Sequence, residues 1–96
     1  MMDIAVQRFT KGYILGYKKY ARSKIYRRLA RFIDSEYHDV VGHARKLVCP
    51  FCYRRFSARI GLVKHLHGGR CGKEFASLII EVVESYRRFR SSSIGS

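Results

Sequence analysis

Apolar positions along this chain recur at helical spacing towards both ends and lose that period in the middle. Tyr17, Ala21, Ile25, Leu29 and Phe32 follow one another at steps of four and three, the spacing that lines one face of an α-helix. They predict a helix from about Lys18 to Ile33, with Phe9, Tyr13 and Tyr20 extending an aromatic edge. Gly12 and Gly16 lower helix propensity ahead of it. Arg8 to Tyr17 therefore reads as a separate short helix or a strand, and Met1 to about Gln7 as an extended or frayed lead-in. A second stripe, Phe75, Leu78, Ile79, Val82, Val83, Tyr86 and Phe89, predicts an amphipathic helix from about Lys73 to Arg90. Glu74, Glu81 and Glu84 share its outer face. Arg87, Arg88 and Arg90 fall at its C-terminal end, where the helix dipole favours cations. Ser91 to Ser96 reads as a disordered tail.

In between, Ala44 to Val48 and Tyr53 to Phe56 read as two short strands of a hairpin. Ser57 suits the N-cap of a helix over about Ala58 to His67, and Gly68 and Gly69 suit its end. Asp34, Glu36 and Asp39 form an acidic patch. Anions are unfavourable at a helix C-terminus, so these belong to a connection or to the start of a short helix running towards His43.

The hairpin turn reads Cys-Pro-Phe-Cys, and the segment from it has the spacing C-x2-C-x12-H-x5-C through Cys49, Cys52, His65 and Cys71. Two thiolates on a tight turn and two further donors from a following helix can grip one tetrahedral ion. So short a segment cannot bury enough core to fold alone; a bound metal supplies the missing free energy, about 10–16 kcal/mol in zinc-finger peptides. His67 also precedes Cys71. Choosing it would break the Leu62-x-x-His65 register, so His65 is the expected ligand. His38 and His43 have no ligand partner at this spacing and read as surface residues.

Ligands, Phe56 and Leu62 together resemble the C2H2 zinc-finger family, in the variant with Cys as last ligand. The match spans about a quarter of the chain. The resemblance implies a ββα finger around one structural Zn2+, with Phe56 and Leu62 as its small core. The expected fold is then a small α+β protein, mainly α: a basic helical region over 1–43, the finger over 44–71, the amphipathic helix over 72–90 and the tail over 91–96, all one integrated domain. The family's base-reading helix positions fall on Ala58, Ile60, Gly61 and Lys64. Only Lys64 can present a donor to a base edge, and direct readout needs several such groups. The resemblance therefore does not imply sequence-specific major-groove recognition here, and Ile60 and Val63 are free to pack on a flanking helix.

Charge points the same way as the motif. There are 20 Lys and Arg against 7 Asp and Glu, a formal net charge of +13. Such an excess favours a polyanion partner. From Arg8 to Ile33 nine cations occur with no acidic residue. The expected contact residues are Lys18, Lys19, Arg22, Lys24, Arg27, Arg28 and Arg31, joined by Arg54, Arg55, Arg59 and Lys64. Phosphate contacts give affinity and register but little sequence information. Tyr13, Tyr20 and Tyr26 interleave with the cations and either stack on unpaired bases or pack at the edge of the core.

The reading is thus a nucleic-acid-binding protein, with double-stranded DNA as the expected partner, acting in transcription regulation or DNA packaging. The alternative is a zinc-stabilised protein-interaction module, with the C-terminal stripe as a homodimer seam. Four protein donors leave no open metal position, and there is no H-x-E with P-C-x-x-C deaminase signature, so neither catalysis nor a small-molecule substrate is expected. No long apolar run or signal sequence is seen, and the odd cysteine count argues against a disulfide framework. A reducing intracellular compartment is expected, in the nucleus or at a nucleoid, without a membrane partner.

Overall fold

Six helices follow one another among the described residues: α1 (Ile4–Leu15), α2 (Lys18–Ala21), α3 (Arg27–Glu36), α4 (His38–Arg45), α5 (Arg59–His65) and α6 (Gly69–Gly95). The structure is a computed structural model; it describes residues 4–95, with side chains described through residue 90. The lead-in predicted for Met1 to Asp3, and the tail at Ser96, lie outside the described residues. The rest of both is helical, Ile4 to Gln7 in α1 and Ser91 to Gly95 in α6. None of these helices is long and apolar enough to cross a membrane.

The expected α+β class is overturned. The chain is an all-helical small globule, and the described residues hold no strand or sheet, so no ββα finger is formed. What remains of the hairpin is one antiparallel bridge, Val48 to Arg55. Cys49 N–H donates to Arg54 O (2.9 Å) and Phe56 N–H to Leu47 O (2.8 Å) on either side of it. The reason lies in the end of α4. Leu47 N–H donates to Ala44 O (3.1 Å) and Val48 N–H to His43 O (2.9 Å), the paired bonds of a Schellman ending. Leu47 takes the left-handed position, φ 63°, that such endings usually give to glycine. Ala44 to Leu47, most of the first strand expected over Ala44 to Val48, is thereby used up closing a helix.

Helix α1 ends in the same way with a glycine in place. Gly16 has φ 85°; its N–H donates to Tyr13 O and Tyr17 N–H donates to Gly12 O. Arg59, first residue of α5, adds Nε–H to Leu15 O at 3.1 Å, placing a cation at the negative end of α1. Gly12, read as a weakness, is a close-approach site, since a Cβ there would run into the Tyr20 ring.

The single helix expected from Lys18 to Ile33 is broken at residues 22–26. Phe9 accounts for the break. Tyr26 stacks on it at 4.7 Å between ring centroids and Tyr20 meets it edge-on at 5.9 Å. Residues six apart on one helix point about 120° away from each other, so both rings reach Phe9 only if the helix opens between them. The predicted stripe fails at Tyr17, Ala21 and Ile25, which are exposed (Ile25 at 86%), and holds at Leu29 and Phe32, which are buried.

Asp34 and Glu36 lie in the last turn of α3 rather than in a connection. Asp34 has a tertiary reason to be there: Tyr13 donates its hydroxyl to it at 2.7 Å. Asp39 sits in the first turn of α4, where the dipole favours an anion. Helix α6 buries Phe75, Ile79, Val82 and Val83 against a body that includes α1 and α3. One contiguous apolar cluster runs from Phe9 and Ile14 through Leu29 and Ile33 to Leu62, Phe75 and the cysteines 49 and 71.

Candidate metal centre

The residues between α4 and α5 form a tight knuckle. Tyr53 N–H donates to Cys49 O at 2.9 Å, and Tyr53 itself takes φ 63°. This turn places Cys49 inward and Cys52 at the surface. Helix α5 follows with Ala58 as N-cap and no side-chain cap, so Ser57 does not play the expected role. Its Leu62 is fully buried, and its last residue is His65. The chain then turns at Gly69, φ 67°, and the first turn of α6 carries Cys71. Phe51 of the knuckle reaches across to Phe75 of α6, with ring centroids 6.4 Å apart.

These turns gather four donors. Cys49 Sγ, Cys52 Sγ, Cys71 Sγ and a nitrogen of His65 all lie within 4.8 Å of one another, and Cys52 Sγ is 3.4 Å from His65 Nε2. Tetrahedral zinc bond lengths imply about 3.8 Å between two sulfurs and about 3.6 Å between sulfur and nitrogen. The group fits a bound metal ion, since three thiols and an imidazole meet at the right separation with no disulfide among them. Cys49 and Cys71 are buried, His65 is half-buried and Cys52 exposed. The Phe56 ring lies 5.1 Å from the His65 ring and holds it in place. Gly61 permits this, because a Cβ there would press on Phe56 at 3.3 Å.

Without a metal the thiols disagree. Burial, and then the neighbouring thiols of Cys49 and Cys52, push Cys71 up to about 12. The backbone N–H of Arg54 is the main influence holding Cys52 below the usual thiol range. A divalent cation would bind the deprotonated forms and resolve the conflict.

His67 is excluded from this group by its own bonds. Its Nδ1 lies 2.6 Å from Val63 O and its Nε2 3.0 Å from Lys11 Nζ. Nδ1–H therefore donates to the carbonyl, and Nε2 accepts from the ammonium. His38 pairs with Asp39 at the surface, and His43 sits against Asp39 O and the Tyr53 ring.

All eleven cations expected to meet a polyanion are exposed. Lys18 and Lys19 lie on α2, Arg22 and Lys24 on the bend, Arg27, Arg28 and Arg31 on α3. Arg54 and Arg55 lie on the return from the knuckle, and Arg59 and Lys64 on α5. Three of them also serve the fold: Arg59 caps α1, the Arg54 guanidinium lies over Phe56 at 5.6 Å, and Lys19 Nζ lies over Tyr20 at 4.9 Å. The interleaved tyrosines go to the core side. Tyr13 is buried, and Tyr20 and Tyr26 are half-buried on Phe9. Of the two apolar residues expected to pack on a flanking helix, Ile60 is 65% exposed, whereas Val63 packs on the core.

Sequence reasoning missed the C-terminal arginines. Since α6 runs on to Gly95, Arg87, Arg88 and Arg90 are interior to that helix and not at its dipole end. Arg90 faces α3, sharing a cleft with Arg28 and Arg31. A signal was present: Tyr-Arg-Arg occurs three times, at 26–28, 53–55 and 86–88. Comparison with family models, with curated proteins and with solved structures gives no match, so the function has to be read from this chain's own residues.

Proposed function

We propose that this chain is a nucleic-acid-binding protein, held in shape by one structural Zn2+ on Cys49, Cys52, His65 and Cys71. Three thiolates and an imidazole in a closed tetrahedral set suit zinc among the common divalent ions. Four protein donors leave no position for a water nucleophile, so the metal serves structure and not catalysis. Such thiols belong in a reducing compartment.

The observation that carries the nucleic-acid reading is uncompensated charge. Against a net charge of +13, and setting Arg87 aside, the described residues show one ion pair, His38 with Asp39. Apart from Arg87, no described Lys or Arg is paired with a carboxylate. Cations left unpaired on a small surface repel one another, and a polyanion relieves that repulsion while releasing counterions. Duplex DNA is the expected lattice. Contacts of this kind position a protein without selecting sequence, which suits a DNA-associated factor in packaging or transcription regulation.

The test is a titration of zinc-loaded protein against random duplex DNA over a series of salt concentrations. We expect log affinity to fall linearly with log salt, by about 0.9 for each phosphate contacted. Replacing Arg27, Arg28 and Arg31 together by Ala should flatten that slope by roughly 2 to 3. No binding to duplex DNA or to single strands near physiological salt would sink the reading.

A further inference from the structure

Tyr17, Tyr53 and Phe89 are the exposed aromatic side chains among the described residues, and Phe89 lines a cleft together with arginines. Helix α3 and the second half of α6 flank a cleft of about 510 Å³, lined by Arg28, Arg31, Phe32, Tyr86, Phe89 and Arg90. Phe32 is buried at its base, with Phe89 at 5.2 Å and Tyr86 at 5.5 Å between ring centroids. Phe89 remains 53% exposed. The Arg90 guanidinium lies over the Tyr86 ring at 5.8 Å. Beyond it a second groove of about 470 Å³ continues along Lys24, Arg27, Arg28, Tyr86 and Arg90. The two share Arg28, Tyr86 and Arg90 and so form one track.

We propose that this track binds single-stranded nucleic acid, with an unpaired base stacked on Phe89 between α3 and α6 and the flanking phosphates on Arg28, Arg31 and Arg90. The proposal rests on the nucleic-acid reading above and names a site for it. Three features carry it. A ring left half exposed beside cations offers the two surfaces that a nucleotide presents, an apolar face and an anion. The volume falls in the range of small-ligand sites and admits a base with its sugar. Charge selects the occupant: among the described residues, Glu36 is the only acidic side chain lining either groove. A second copy of the chain would bring another +13 against the same cations, which disfavours a homodimer over this cleft. A duplex keeps its bases stacked and would leave Phe89 unused.

The experiment uses full-length zinc-loaded protein and its Phe89→Ala and Phe89→Trp variants. Each is titrated against a labelled oligothymidine and against a random duplex, with circular dichroism as a check on folding. Loss of one stacked base should weaken single-strand binding of Phe89→Ala by about 5- to 150-fold. Duplex binding should change less than about twofold, and Phe89→Trp should restore the single-strand affinity. Equal losses on both lattices, or no loss on either, would overturn the stacking site while leaving the nucleic-acid reading intact. Absence of binding to both lattices by the unmodified protein would remove both. If the unmodified protein sediments as a dimer that Phe89→Ala dissociates, with single-strand affinity unchanged, a second copy occupies the cleft and the proposal fails. Should Phe89→Ala not fold, Phe89→Ser and Arg31→Gln are read instead, with the same discrimination expected of the former and a similar loss on both lattices expected of the latter.

Discussion

From Ile4 to Arg45 the chain buries Phe9, Ile14, Leu15, Leu29 and Ile33 almost completely, whereas from Lys46 to Gly68 only Cys49, Leu62 and Leu66 reach comparable depth. The first region is held as most small helical proteins are, by apolar side chains removed from water at about 25 cal/mol per Å². The second has a seven-residue helix, one bridge pair, and two non-glycine residues in the left-handed region, Leu47 and Tyr53, each costing on the order of 1 kcal/mol. Apolar burial does not account for its order. Its four donors can, because an ion bonded to the knuckle, α5 and α6 would replace the core that the segment lacks. The two regions nevertheless share a boundary, since Cys49 and Cys71 are members of the same apolar cluster as Phe9 and Leu29.

The contrast breaks most visibly at the metal. Chelation, or Cys49→Ser, should speed amide exchange at Cys49, Tyr53 and Phe56 by two orders of magnitude or more, a local cost above about 3 kcal/mol. Amides within α1 and α3 should keep most of their protection. Equal acceleration throughout would mean that the two regions unfold as one, and unchanged exchange at the knuckle would mean that no metal holds it.

The reverse perturbation is Phe9→Ala. It removes the ring on which Tyr13, Tyr20 and Tyr26 converge and should cost about 3–5 kcal/mol, read as a lowered denaturation midpoint. Below that midpoint the variant should still bind one zinc per chain. Loss of metal binding in the folded variant would show that the body positions the ligands more directly than the contrast allows.

The smallest effect concerns the joint between α1 and α3. Burial, and then the bond to Asp34, raise the Tyr13 phenol above its ordinary value of 10.0. The folded state thus favours the protonated phenol. The stability this contributes is complete below pH 10 and is lost as pH rises through the raised folded value. Tyr13→Phe should be less stable by about 1 kcal/mol at pH 8, and the gap should close above pH 10. A gap that stays constant to pH 11 in denaturant titrations would assign it to packing instead.

The four ligands were legible because metal chemistry is local. Cys49, Cys52, His65 and Cys71 lie within one short stretch, and tetrahedral bonding restricts which spacings can converge. The choice of His65 over His67 followed from register, and the bonds of His67 to Val63 and Lys11 agree with it. The two strands were not legible. The finger resemblance suggested them, but Ala44 to Leu47 was taken by a helix ending whose left-handed residue is a leucine, for which glycine would have been the only clear sign. The break after α2 was hidden for a similar reason: Ile25 continues the stripe perfectly while its side chain faces solvent.

By itself the sequence determined the donor set, the charge and the apolar face of α6, since each depends on residue type and near-neighbour spacing. Only the tertiary structure decided which aromatics are covered. Tyr13, Tyr20 and Tyr26 gather around Phe9, while Phe89, of the same apolar stripe as Val82, stays exposed beside Arg28, Arg31 and Arg90. That outcome depends on where α3 crosses α6, and no periodicity within either helix records where its neighbour ends.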